Sequence, residues 1–227
     1  MSNRAIFLDK DGTLIDDVPY NVDPEQMRLA PKAGVALRRL AVNYRLIVVS
    51  NQSGVAHGFF DEKALRAVEQ RLRQLLAEEG VVLDGFYYCP HHPSGADPRY
   101  RCRCACRKPQ PGMLLQAADE HLLDLGRSWM IGDILNDIEA GHRAGCRAVL
   151  VDNGGETEWQ MTPLRRPDFI VADLDAAADR IVAAEPPQSG VTWFDPIDQQ
   201  ASRDSGGTDY ARRSMGRRPE IAVRSAR

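Results

Sequence analysis

The sequence predicts an α/β fold, a three-layer parallel sheet with helices on both faces. Three observations carry that expectation. Short apolar runs without polar alternation recur along the chain, as strands do when both faces of their sheet are covered. Between them lie stretches whose apolar residues repeat every 3.6 positions. Asp9, Ser50, Cys89 and Asp133 each close or follow such a run, at the strand ends where parallel sheets gather their chemistry.

The first strand is Arg4–Leu8, apolar up to Asp9. Residues 16–31, with Pro19, Asn21, Asp23 and Pro24, read as a loop or small flap. Pro31 opens a helix that places Val35, Ala36, Leu37 and Leu40 on one face. A second strand covers Leu46–Ser50, and Asp61 caps a helix whose Leu65, Val68, Leu72, Leu75 and Leu76 keep helical spacing. Gly85–Cys89 is a third strand, followed by a cysteine-rich loop to Pro109. A helix then runs from Pro111 to about Leu123, a strand over Trp129–Gly132, and a helix from about Asn136 to Ala144. Arg147–Val151 and Phe169–Val171 complete the strands, with a last helix after Asp173.

The 227 residues, 43% of them hydrophobic, supply one sizeable core and argue against a second. One domain is expected over residues 1–185. From 186 to 227 the chain turns rich in Pro, Gly, Ser and finally Arg without any helical or strand period, which predicts a disordered tail. The net charge of -3 argues against a nucleic-acid or membrane-surface binder. No apolar run reaches the roughly 20 residues of a membrane span, and the N-terminus meets charge too early for a signal peptide. A cytoplasmic protein is expected, and a monomer.

Asp9-Lys-Asp-Gly-Thr13 directly follows a buried strand. Carboxylates at i and i+2 can face one pocket where the chain turns, Gly12 eases that turn, and Thr13 adds a hydroxyl. Such a pair suits a carboxylate nucleophile working beside a general acid and base. Cys89, Cys102, Cys104 and Cys106 crowd beside His91 and His92, while Cys146 stands apart. Cys89-x-His91 with Cys104-x-Cys106 offers three thiolates and an imidazole, the closed set of structural zinc, within a loop at 89–106. Cys102 and His92 remain as alternative ligands.

These motifs resemble those of the haloacid dehalogenase (HAD) superfamily of phosphatases. Asp9-Lys-Asp-Gly-Thr13 is similar to its first motif, Ser50 to the second, Lys108 to the third, and Gly132-Asp-Ile-Leu-Asn-Asp137 to the fourth. The resemblance spans residues 4 to about 183 and implies a HAD-like Rossmannoid sheet and phosphomonoester hydrolysis through an aspartyl-phosphate. It implies Asp9 as nucleophile, Asp11 as acid and base, and Ser50 and Lys108 as partners of the phosphoryl group. It places Mg²⁺ on the Asp9 carboxylate, the Asp11 main-chain carbonyl and the Asp133 carboxylate, with Asp137 in support behind them.

The loop resembles that of a zinc-bearing HAD subgroup whose bacterial members act on heptose bisphosphate or histidinol phosphate. Asn51-Gln-Ser-Gly-Val-Ala56 and Cys106-Arg-Lys-Pro-Gln-Pro-Gly-Met113 resemble the heptose branch, although His57 stands where arginine is usual and Ile134 where lysine is common. A small phosphorylated sugar is therefore the implied substrate. Residues 16–31 are too few for a large cap domain, so the flap, the turn after the second strand and the metal loop are expected to cover the pocket. Gly12, Thr13, Asp17, Tyr20, Asn51, Gln52, Ser53 and Arg107 are the expected substrate contacts, with Arg107 reaching a second anionic group.

Overall fold

The computed structural model describes residues 3–184. The Arg-rich tail expected from 186 lies outside the described residues. Six parallel strands form one sheet: β1 (Ala5–Leu8), β2 (Arg45–Asn51), β3 (Gly85–Cys89), β4 (Trp129–Gly132), β5 (Arg147–Val151) and β6 (Phe169–Val171). Their order is β3-β2-β1-β4-β5-β6, so the chain reverses direction of growth beside β1. Asp9 stands at that reversal, where the crevice of an open parallel sheet forms.

Alternation along each strand builds two cores. Ile6, Leu8, Leu46 and Val48 face a layer made by α1 (Ala33–Ala41), α3 (Glu62–Glu78) and α6 (Leu174–Ala183). Ala5, Phe7, Ile47 and Val49 face the opposite layer of α4 (Gly112–His121) and α5 (Leu135–Ala144). With both faces covered, no strand residue of β1 or β4 is left polar and exposed, which explains their unbroken apolar runs.

Caps set several helix starts as the sequence suggests. Asp61 accepts from Lys63 N at 3.0 Å and Ala64 N at 3.2 Å, and Asp173 accepts from Ala176 N at 2.8 Å. Other boundaries differ from expectation. Helix α1 begins two residues after Pro31, because Lys32 takes a left-handed φ of 64°. Val35 is 46% exposed, and Ala33 takes the buried face with Ala36, Leu37 and Leu40. Helix α4 stops at His121, where Leu122 turns left-handed and reaches solvent. A one-turn helix not anticipated from sequence, α2 (Gly54–His57), follows β2 directly.

Candidate active site

The tips of β1, β2 and β4 converge on one cluster of buried polar groups. Asp9, Lys10, Thr13, Ser50, Lys108, Asp133 and Asp137 are all less than one-tenth exposed. Register holds the tips level: Leu8 pairs with Val48 and Ile131, and Asp9 N donates to Ile131 O at 2.9 Å.

Lys108 comes from the segment after the cysteine loop and enters the cluster sideways. Its Nζ meets Asp9 Oδ1 at 2.5 Å, Asp137 Oδ1 at 2.7 Å and Val49 O at 2.8 Å. Burial opposes its charge, yet Asp137 and Asp9 outweigh that cost and hold the ammonium above the ordinary lysine range. Asp137, expected in support behind the cation ligands, lies with Asp9 and Asp133 in one carboxylate cluster; it also binds Lys108 and caps the start of α5 by accepting from Ile134 N at 3.3 Å. Asn51 fixes the Lys108 main chain, accepting from Lys108 N at 3.0 Å and donating to Lys108 O at 3.1 Å.

Asp11 faces a second cation that sequence reading passed over. Lys10 is 1% exposed, and its Nζ lies 2.5 Å from Asp11 Oδ1. The tight turn after β1 folds it inward. Gln52 Nε2 donates to Asp11 Oδ2 at 3.1 Å and to Ser50 Oγ at 2.8 Å. Burial raises Asp11 above the usual carboxyl range, against the pull of Lys10. Because Ser50 accepts from Gln52, its own O–H remains available to donate.

Asp133 lies between two glycines. A Cβ on Gly12 (φ 78°) would stand 2.3 Å from Asp133 Oδ2, and one on Gly155 would stand 2.2 Å from the same atom. Thr13 Oγ1 donates to Asp133 Oδ1 at 3.2 Å. The loop after β5 thus joins the site: Asn153 Nδ2 donates to Gly12 O, and Gly155 N donates to Asn153 Oδ1 at 3.0 Å. Burial, Asp9 and Asp137 push the Asp133 carboxyl up to about 8. Four carboxylates (Asp9, Asp11, Asp133, Asp137) face two buried ammonium groups, a formal deficit of two positive charges. Asp9, Asp133 and Asp137 each offer an oxygen within 4.8 Å of the others. That charge deficit and hard-oxygen donor set fit a divalent cation of the magnesium type.

Beside this cluster a cavity of about 180 Å³ is lined by Asp11, Asp17, Tyr20, Asn21, Asn51, Gln52, Ser53 and Gly54. Five of the expected substrate contacts are among them. The flap is pinched at its base, where Ile15 bridges Leu29, and Tyr20 (φ 56°) packs edge-on to Phe59 at 4.7 Å. The metal loop does not line this cavity. Its Arg107 and Lys108 border an adjoining cleft of about 340 Å³ with Arg103 and Gln110. Arg107 is half-buried and donates to His91 O at 3.4 Å.

The cysteine loop closes on a second cluster. Cys89, the buried last residue of β3, lies 3.1 Å from Cys106 Sγ and 3.5 Å from Cys104 Sγ, and His91 Nδ1 lies 3.6 Å from Cys89 Sγ. All four ligand atoms fall within 4.8 Å of one another, the scale of a tetrahedral zinc site. The two alternatives point elsewhere. Cys102 is exposed, and His92 Nδ1 is engaged by Ser94 Oγ at 2.9 Å. Cys146 is buried in the core beneath α5.

Comparison with known proteins follows the same lines. The HAD-hydrolase-like family profile matches residues 105–177. A D-glycero-β-D-manno-heptose-1,7-bisphosphate 7-phosphatase of Pasteurella multocida is 44% identical over 153 residues, 66% of this chain and 83% of its own. The crystal structure of a D,D-heptose 1,7-bisphosphate phosphatase from B. bronchiseptica, complexed with magnesium and phosphate, is 30% identical. It matches with a TM-score of 0.65 over 80% of this chain and 99% of that one. A HAD-like phosphatase structure from Mesorhizobium loti is 37% identical, with a TM-score of 0.68 over 79% of this chain and 88% of that one.

Proposed function

Because this chain belongs to the D-glycero-β-D-manno-heptose-1,7-bisphosphate 7-phosphatase family of HAD-like hydrolases, we propose that it removes the 7-phosphate of that sugar bisphosphate. It is a phosphatase. The observation that carries the reading is the meeting of Asp9, Asp11, Ser50 and Asp133 at three neighbouring strand tips with Lys108, beside a small cavity.

The residues support a two-step hydrolysis. Asp9, at the crevice of the sheet, attacks phosphorus through a carboxylate oxygen to form an aspartyl-phosphate. Asp11, held by Lys10 and Gln52, gives its proton to the departing sugar oxygen and then takes one from the attacking water. Its raised affinity for a proton suits the first of these tasks. Ser50 donates to a phosphoryl oxygen, and Lys108 offsets the charge of Asp9 and of the transferring group. The Asp9 carboxylate, the Asp11 main-chain carbonyl and the Asp133 carboxylate hold Mg²⁺, which when bound neutralises the repulsion between a phosphate dianion and a carboxylate nucleophile.

Zinc on Cys89, His91, Cys104 and Cys106 is structural, since four protein ligands leave no open position. It organises the loop that delivers Arg107 and Lys108. Cysteines that hold a metal rather than pair in disulfides suit the reducing cytoplasm. Among the described residues, no helix is long and apolar enough to cross a membrane. Phosphate release from heptose 1,7-bisphosphate, measured beside histidinol phosphate, tests the substrate. Faster turnover of histidinol phosphate overturns the sugar assignment while leaving the phosphatase standing.

A further inference from the structure

The loop after β5 contributes to the site although neither its composition nor its position marks it as catalytic. Asn153 spans two segments with one amide. Its Nδ2 donates to the carbonyl of Gly12 in the turn after β1, and its Oδ1 accepts from Gly155 N at 3.0 Å. The Asp133 carboxylate lies between these same two glycines, both of which approach Oδ2 too closely for any larger residue. Its other oxygen is held by Thr13, also in the β1 turn. The chain is tied again one residue beyond Gly155, where Glu156 Oε2 accepts from Leu135 N at 2.6 Å.

We infer that Asn153 is a positioning residue for the cation site: by joining Gly12 to Gly155 it fixes the turn that presents the Asp11 carbonyl and holds both glycines against Asp133 Oδ2. This rests on the phosphatase reading only in that the reading places Mg²⁺ on those groups. Asn153 is itself exposed, so its loss costs the fold little. A residue that orients groups bound to a metal typically affects affinity by about 10-fold or more.

The test is Mg²⁺ affinity, measured by isothermal titration on zinc-loaded protein without substrate, for the parent, Asn153→Ala, Asn153→Asp and Gly155→Ala. Asn153→Ala is expected to weaken Mg²⁺ binding about tenfold, with melting in the absence of Mg²⁺ unchanged. Its phosphate release should recover when Mg²⁺ is raised, while KM for the sugar phosphate stays at the parent value. Asn153→Asp keeps the acceptor for Gly155 N, loses the donor to Gly12 and adds a negative charge near the cation. Weaker binding there supports positioning; binding tighter than the parent shows that charge matters and overturns the inference. Gly155→Ala should weaken Mg²⁺ with Asn153 intact, because the new Cβ would stand 2.2 Å from Asp133 Oδ2. Parent affinity in Asn153→Ala overturns the inference and spares the phosphatase reading. No Mg²⁺ binding by the parent removes the cation site and the inference together. Should Asn153→Ala fail to fold, the isosteric Asn153→Asp decides alone, and parent affinity in it is likewise fatal.

Discussion

Asn51 and Lys108 are locked together by two opposed hydrogen bonds, side-chain amide to main-chain peptide, at 3.0 and 3.1 Å. The sequence suggested that Asn51 touches substrate. Asn51 does line the cavity, and with both ends of its amide engaged it also sets where the Lys108 backbone lies and hence where the buried ammonium arrives. Asn51→Ala should therefore lower kcat much more than it raises KM, and cost about 1–2 kcal/mol of stability for the hydrogen bonds lost. Steady-state kinetics with thermal melting checks this. A raised KM at unchanged kcat returns Asn51 to the role of substrate contact.

Asp9→Asn should abolish phosphate release, by about a thousandfold or more, because an amide of the same shape is a poor nucleophile. The fold should survive and zinc content should be unaltered. Parent-level turnover in the variant ends the aspartyl-phosphate mechanism.

Stability should fall with pH in protein stripped of Mg²⁺. The Asp133 carboxyl stands at about 8 in the folded chain against 3.8 for a free one, so the folded state holds a proton that the unfolded state has released. Stability from this group is complete below about pH 4 and lost as pH climbs through about 8. Asp11 shifts in the same direction, whereas carboxyls held low, such as Asp168, act at the acid end of the scale. Mg²⁺ favours the ionised carboxylates, so the rise in melting temperature on adding Mg²⁺ should grow across that window. A shift that is the same at acid and alkaline pH contradicts the assignment of Asp133 as a ligand.

Changing Cys89, Cys104 or Cys106 to Ser should reduce bound zinc, while Cys102→Ser and Cys146→Ser should keep it. Metal analysis per chain decides this. Chelating zinc should also lower activity in a way that added Mg²⁺ does not restore, because the loop that delivers Lys108 loses its closure. Full activity in verified zinc-free protein separates the two sites completely.

The strands and the residues at their tips were legible because each is a local pattern: an apolar run, then a polar residue. Asp9, Ser50 and Cys89 follow from that pattern alone. The partner of Lys108 was not legible, since Asp137 reaches it through packing of α5 under the sheet and nothing in the spacing of the two residues records that. Lys10 was overlooked because a lysine in a polar motif looks solvated, and only the turn buries it. Asn153 and Gly155 lie in a loop of ordinary turn composition, where Asn-Gly-Gly suggests a bend before it suggests a site. Val35 was misplaced because apolar character was read before spacing: Ala33, Ala36, Leu37 and Leu40 keep the i, i+3, i+4, i+7 pattern, and Val35 falls on the opposite side.

The ammonium of Lys108 has three hydrogens, and Asp9, Asp137 and the Val49 carbonyl receive all three. In this arrangement the ammonium acts on the phosphoryl group through its charge, and the Ser50 hydroxyl is a donor still free to grasp it. The arrangement also rejects an arginine. A flat guanidinium cannot point one proton each at three acceptors disposed as a tripod, and its longer, wider head has no room in a pocket that is 2% exposed. Conversion of Lys108 to arginine, which preserves charge, should therefore lower phosphate release nearly as much as conversion to methionine, which removes it: the position requires the shape of its proton array as well as its sign.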